Sequence, residues 1–219
     1  MSSINVRGIA AMVSNFNEFT ASQAPFAMAK ALTDTAKMAK VAVTEHINVA
    51  FDRPTAFTKR AMAFTPANKA TLKANVYVKE LQASYLVTEM EGGARGFKSF
   101  EEKFSTGTGA KVALPGRGIE LNQYGNISKA KILRIARDVN TSGKSKRFFT
   151  GKPVGHAMPS GIYARVNNNK QIAPLIVFAT AAVYQKRFRF SEVVNETVDA
   201  KFVSNLESAW AVAVKSMRR

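Results

Sequence analysis

From Pro25 to Phe51 the chain carries one long amphipathic pattern, and this stretch limits the possible folds more than any other. Apolar residues recur at Ala29, Leu32, Ala36, Ala39, Val43, Ile47 and Ala50, while Lys30, Asp34, Lys37 and Glu45 fall off that stripe. Steps of three and four place the stripe on one face of a helix. Because most of it is alanine, another backbone can approach closely, either the fold's own sheet or a neighbouring subunit. The helix must stop at Asp52-Arg53-Pro54. A residue before proline is pushed out of the α region, so Arg53 is expected to turn the chain, and the fixed φ of Pro54 suits the start of a new helical turn.

The segments on either side supply shorter patterns. Ile4, Val6, Ile9, Val13 and Phe16 suggest a short amphipathic helix weakened by Gly8. Thr55 to Phe64 is expected to form a short helix ending before Pro66. Lys73 to Lys79 alternates, with Ala74, Val76 and Val78 on one face of a half-buried strand. A helix over 81–90 should stop at Gly92-Gly93. Residues 92–125 hold eight of the 13 glycines and few apolar residues, so an extended arm ordered by a partner is expected there.

Ser128 should cap a helix over Lys129 to Val139, with Ile132, Ile135 and Val139 inward and Lys129, Lys131, Arg134 and Arg137 outward. Asn140 to Lys146 reads as a second loop. Phe148-Phe149, 161–166 and 171–178 read as strands, the last two forming a hairpin across Asn167-Asn168-Asn169-Lys170, since Asn tolerates positive φ. Pro174 cannot donate to a ladder, which predicts an edge strand, at least locally. Ser191 opens a final helix with the stripe Val194, Val198, Phe202, Leu206, Ala209 or Trp210, Ala213 and Met217. The sum is an α+β fold, with long N- and C-terminal helices packed on a small antiparallel sheet. No internal repeat and no linker breaks the chain, so 1–219 is read as a single domain containing the 92–125 arm.

Thirty-two Lys+Arg against 15 Asp+Glu give a formal charge of +17, an excess that attracts nucleic acid, acidic proteins or anionic membranes. With hydrophobic residues at 46% the chain can still fill a core. The absence of cysteine removes disulfides, thiolate catalysis and Cys-ligated zinc, and fits folding in a reducing cytoplasm. No secretory signal pattern opens the sequence and no apolar run would span a bilayer, so a soluble protein without a membrane partner is expected.

The inventory for catalysis is thin. His46 lies in the long helix and His156 in a loop, and each is expected to be structural or solvated because neither has an evident orienting partner. Gly107-Thr-Gly-Ala-Lys111 lacks the spacing of a phosphate loop, and Gly116-Arg-Gly118 fails the dinucleotide pattern, so both read as flexible loop. Glu101 and Glu102 read as a solvated acidic pair, since adjacent helical residues point in different directions. Trp210 is expected in the core or at a subunit contact. No catalytic residue, metal or cofactor is expected. Lys144, Lys146 and Arg147 form one basic cluster. Lys186, Arg187 and Arg189 form another, in which Phe188 and Phe190 alternate with the arginines so that one face packs and the other is wet.

Several short motifs share an order along the chain. Phe-Asp-Arg-Pro-Thr-Ala-Phe-Thr at 51–58 follows the long helix, and Glu91-Gly-Gly-Ala-Arg95, Leu114-Pro-Gly-Arg-Gly118 and Tyr124-Gly-Asn-Ile-Ser128 follow it. Tyr184-Gln-Lys-Arg-Phe-Arg-Phe190 then leads into the last helix. This arrangement resembles the minor tail Z-like, or tail-completion, proteins of tailed bacteriophages and prophages across nearly the whole chain. The resemblance implies a non-catalytic virion protein of the neck or tail, assembled in the host cytoplasm as a homo-oligomeric ring of about six or twelve copies. Its partners would be portal, adaptor or tail-tube proteins, with non-specific contact to phage DNA. Arg53, Arg95 and Arg117 belong to the motifs that carry the resemblance and are expected at contacts. Lys144, Lys146, Arg147, Arg187 and Arg189 join them on charge alone. The alternative is a basic nucleic-acid-binding protein without catalytic activity.

Overall fold

A computed structural model describes residues 17, 21, 23–96, 101, 112–140, 147–155 and 157–217. Among them the order is α1 (Ala24–Ala50), α2 (Ala56–Lys59), β1 (Met62–Thr65), β2 (Asn75–Val78), α3 (Glu80–Glu91), β3 (Gly93–Ala94) and β4 (Val112–Pro115). It continues with α4 (Lys129–Asn140), β5 (Phe148–Gly151), β6 (Gly161–Val166), β7 (Gln171–Ala179), β8 (Val183–Tyr184) and α5 (Phe190–Met217). Helices and small antiparallel sheets make the fold α+β. The expected helix over Ile4–Phe16 lies outside the described residues. The chain forms two compact units, Met1–Ser84 with Phe188–Arg219, and Tyr85–Arg187. No linker betrays the second unit because it is inserted into the first, and one junction falls inside α3.

In the first unit α1 and α5 pack as antiparallel neighbours. Ala27 and Ala31 of α1 and Ala209 and Ala213 of α5 are fully buried together, ringed by Phe26, Phe202, Leu206 and Val214. Two alanines beside the expected stripe, Ala27 and Ala31, thus admit the C-terminal helix, where the sequence suggested a sheet or another subunit. Asn205 donates to the Thr35 hydroxyl at 2.9 Å, and that hydroxyl donates to the Ala31 carbonyl at 2.8 Å, which pins the register of the pair. Farther along α1, Val43 and Ile47 are fully buried, and burial of each such side chain contributes about 1.5–3 kcal/mol.

α1 ends as its sequence requires, with the Phe51 N–H on the Ile47 carbonyl and Arg53 at φ 45°. Pro54 does not open the next helix. α2 begins at Ala56, and Thr55 caps it by accepting the Thr58 N–H at 3.2 Å. The helix expected to run to Phe64 lasts only to Lys59, because Met62–Thr65 instead pairs antiparallel with Asn75–Val78, Met62 opposite Val78. That hairpin satisfies backbone groups which a helix ending at Pro66 would leave exposed. The β2 strand keeps the expected alternation, with Val76 and Val78 half-buried and Asn75 and Tyr77 exposed.

The second unit is built on a four-stranded antiparallel sheet in the order β4-β7-β6-β5. The hairpin β6–β7 turns through Asn167, Asn168 and Asn169 at φ 51°, 53° and 68°, as their side chains allow. Contrary to the edge expected from Pro174, β7 is an interior strand. The proline is absorbed where the β6–β7 register shifts, so that Ile162 faces Ile176 but Tyr163 faces Pro174. This β-bulge removes the need for the missing N–H, and the Gly118 N–H takes up the Pro174 carbonyl at 2.8 Å. α4 covers one sheet face through Ile135, which joins Ile119, Phe148, Ile162, Ile176 and Phe178 in the core. Ser128 caps α4 through the Lys131 N–H, and Ile132 and Val139 turn inward as expected.

Of the arm read at 92–125, residues 97–100 and 102–111 lie outside the described residues. Two described parts are strands: β3 pairs with β8, and β4 with β7.

Candidate interaction surfaces

The inserted unit holds 17 Lys+Arg against six Asp+Glu in 103 residues, so it carries most of the excess charge. On α4, Lys129, Arg134 and Arg137 are exposed along the face opposite Ile135, while the Lys131 ammonium reaches Glu120 at 3.0 Å. At the far edge of the sheet Arg147 lies 5.5 Å from the Phe148 ring centre. Arg165 lies 4.5 Å over Phe149, which itself stacks on Tyr163 at 5.7 Å. These guanidinium–ring contacts fix the basic side chains near the strands that carry them. Tyr163 is fully buried, donates to the Pro159 carbonyl, and has its phenol pushed up by desolvation.

The arginines named from the loop motifs fall in different settings. Arg117 is exposed between two glycines that the fold needs. A Cβ on Gly116 would stand 2.3 Å from the Pro174 carbonyl oxygen, and one on Gly118 would stand 2.8 Å from the Ala173 Cβ. The Pro-Gly-Arg-Gly turn is thus not a loose loop; it lies against β7, with the Gly116 N–H on the Leu175 carbonyl at 2.9 Å.

Arg95 is turned inward, its side chain only 11% exposed. Its two terminal nitrogens meet the Glu101 carboxylate at 2.8 and 2.5 Å, and its Nε has no partner among the described residues. Glu101 also accepts the Ala113 N–H at 2.9 Å and is 1% exposed, so the expected solvated acidic pair is corrected at this residue. A buried carboxylate is tolerable there because the guanidinium and an N–H satisfy it. The hydrogen bond to Glu101 holds the Arg95 guanidinium above its ordinary value. Arg95 is therefore a structural cation, and Glu102 lies outside the described residues.

Arg187 donates to both oxygens of Glu89 at 2.5 and 2.9 Å, and that hydrogen bond raises its pKa. Glu89 is mostly buried, whereas half of the Arg187 side chain remains exposed. In the first unit Arg189 pairs with Glu196 at 2.8 Å and Arg53 with its neighbour Asp52 at 2.9 Å, both on the surface. Lys144 and Lys146 lie outside the described residues. Phe188 is fully buried between His46, Phe51 and Phe190, and the arginines on either side of it are exposed, as the alternation predicts. His46 is used structurally, its Nε2 accepting the Arg189 N–H at 3.3 Å. His156 lies outside the described residues.

Sequence reasoning missed the apolar side chains left outside. Met38, Val41 and Val49 on α1, and Val203, Trp210 and Val212 on α5, are all substantially exposed although the opposite faces of both helices are buried. Val203 and Trp210 stand two helical turns apart and share a face, and Ala209 resolves the ambiguity of the inward stripe. The signal was present in α5, where apolar residues occupy more than one face. Among the described residues no group of three or more His, Asp or Glu is placed to hold a metal, and no helix is long and apolar enough to cross a membrane. No protein-family model, curated protein or solved structure matches this chain.

Proposed function

We propose that this chain is a structural subunit of a tailed-bacteriophage neck or tail-completion ring, joining the portal or adaptor to the tail. The observation that carries the reading is the outer face of α5, where Val203 and Trp210 are exposed at helical spacing while Ala209 and Ala213 on the inner face are fully buried. Contiguous exposed apolar surface marks a protein contact, and a ring requires two complementary patches on each copy. The basic inserted unit supplies charge for acidic portal, adaptor or tail-tube surfaces, or for DNA in the lumen. Arg117, at the exposed Pro-Gly-Arg-Gly turn beside β7, would contact a neighbour. Non-specific nucleic-acid binding is the second reading, favoured by the 17-to-six excess of basic residues in that unit.

Light scattering of the purified protein at moderate salt, with and without duplex DNA, separates the two. A closed oligomer without DNA supports the ring. A monomer whose mass rises only with DNA, and less so at higher salt, supports nucleic-acid binding instead. Arg117→Glu is expected to leave the monomer folded and to impair ring assembly. Normal assembly of that variant removes Arg117 from the interface.

A further inference from the structure

Between α1 and α5 runs an open groove of about 620 Å³, lined entirely by residues of the first unit. Its floor is apolar, formed by Met38 and Val41 of α1, 44% and 51% exposed, with Val193 and Ala200 of α5. Its rim is charged and ordered. The helices are antiparallel, with Met38 beside Asn205 and His46 beside Arg189. Lys37 and Lys201 therefore share one end of the groove, and Glu45 and Glu196 share the other. At 1.5 Å per residue, Lys37 and Glu45 are separated by about 12 Å along α1.

Lys37 is shared with Asp34 at 3.3 Å and Glu196 with Arg189 at 2.8 Å, exposed pairs that cost little to rearrange. Glu45 and Lys201 have no ion pair among the described residues. The groove thus has an unpaired base at one end, an unpaired acid at the other and an apolar middle.

We infer that a second copy of this chain seats on the groove about a two-fold axis, the positive end of each copy on the negative end of the other. Opposite charges meet at both ends, and Met38 and Val41 are buried twice, under a half-turn about an axis that lies in the plane of contact and crosses the groove at its middle. A surface that is its own complement under that rotation is an isologous dimer contact. Because α1 then lies over α1 of the other copy and α5 over its α5, Glu45 of each copy meets Lys37 of the other and Glu196 meets Lys201, whereas like charges would face each other in the parallel arrangement. The inference goes beyond the ring reading and does not rest on it, because a ring uses head-to-tail contacts between two different surfaces.

The test is the mass of the full chain by sedimentation equilibrium over a range of concentration, for wild type, Glu45→Lys, Lys37→Glu and the double charge swap. All three variants change exposed helical side chains, and circular dichroism checks that they fold. The wild type is expected to pass from monomer to dimer. Each single reversal creates two like-charge contacts by symmetry and is expected to weaken association about tenfold, near 1.4 kcal/mol. The double swap is expected to restore it, which loss of an unrelated contact would not do. A wild type that stays monomeric at every concentration overturns the second copy as occupant. A larger oligomer indifferent to both single reversals overturns the groove contact and leaves the ring reading standing. A dimer that the swap rescues, with nothing larger, supports the groove and counts against a ring that forms unaided.

Discussion

Phe188→Ala tests the packing that closes the first unit. The ring is fully buried and lies 5.9 Å from His46, nearly parallel to it, with Phe51 at 5.7 Å and Phe190 at 6.3 Å. Burial of a phenylalanine side chain is worth about 1.5–3 kcal/mol as transfer from water. The three ring contacts add about 0.5–1.5 kcal/mol each where their geometry is retained. These terms overlap, and the neighbouring rings are too rigid to collapse into the space, so a loss of about 3–5 kcal/mol is expected. Trp210 is the sole tryptophan and lies in the same unit, so its fluorescence follows the unfolding of that unit in urea. With a slope of about 1.5–2 kcal/mol per molar for a unit of this size, the midpoint should fall by about 2 M. Val203→Ala, at a position 61% exposed, should leave it within about 0.3 M. A Phe188→Ala midpoint as close to wild type as that of Val203→Ala would refute the claim that this ring cluster closes the unit.

Gly116→Ala should destabilise the inserted unit by about 2–4 kcal/mol, since the new methyl meets a carbonyl oxygen at 2.3 Å and moving it apart breaks the hydrogen bonds to β7. Gly96→Ala, which meets nothing within 4 Å, should be neutral or slightly stabilising. Hydrogen exchange of the β7 backbone amides distinguishes these, with faster exchange expected only for Gly116→Ala. Asp34 gives a dependence on pH. Its hydrogen bond from Lys30 at 2.7 Å, aided by Lys37, holds its carboxyl below the ordinary aspartate value, against a smaller opposing effect of burial. A depressed folded pKa stabilises above the unfolded value, and the contribution is lost as pH falls through the folded one. Asp34→Asn should therefore cost about 0.5 kcal/mol at neutral pH, and the difference from wild type should vanish in acid. A difference that persists unchanged in acid would mean the carboxylate charge is not its source.

α1 and α4 were legible because a single periodicity governed each of them. The stripe from Ala29 to Ala50, the stop at Asp52-Arg53-Pro54, the cap at Ser128 and the glycine stop after Glu91 are local signals, and local physics decides them. What failed was decided by partners distant in sequence. Met62–Thr65 became a strand because Asn75–Val78 was there to pair with it. Pro174 became interior because a bulge in β7, where its register against β6 shifts, absorbs the missing N–H, while the Pro174 carbonyl accepts the N–H of Gly118 from another segment. The boundary between units was hidden for a related reason, since an inserted unit needs no linker where it enters through a continuous helix.

The candidate surfaces divide on the same principle. Charge is legible in a sequence, but whether a charge is spent inside the fold depends on an acid elsewhere. Arg95 and Arg187 look equivalent to Arg117 in composition, yet each has found a carboxylate within its own unit, Glu101 six residues away and Glu89 ninety-eight residues away. Burying a carboxylate beside the cation that neutralises it sets up a structural pair, and removing either member leaves the other at a cost larger than the pair is worth. Arg117 gives no comparable hostage: it is exposed, and the glycines on either side fix its backbone against β7. Of Arg95, Arg187 and Arg117, it is therefore the one whose charge can be reversed with the fold left standing, and its reversal speaks about assembly.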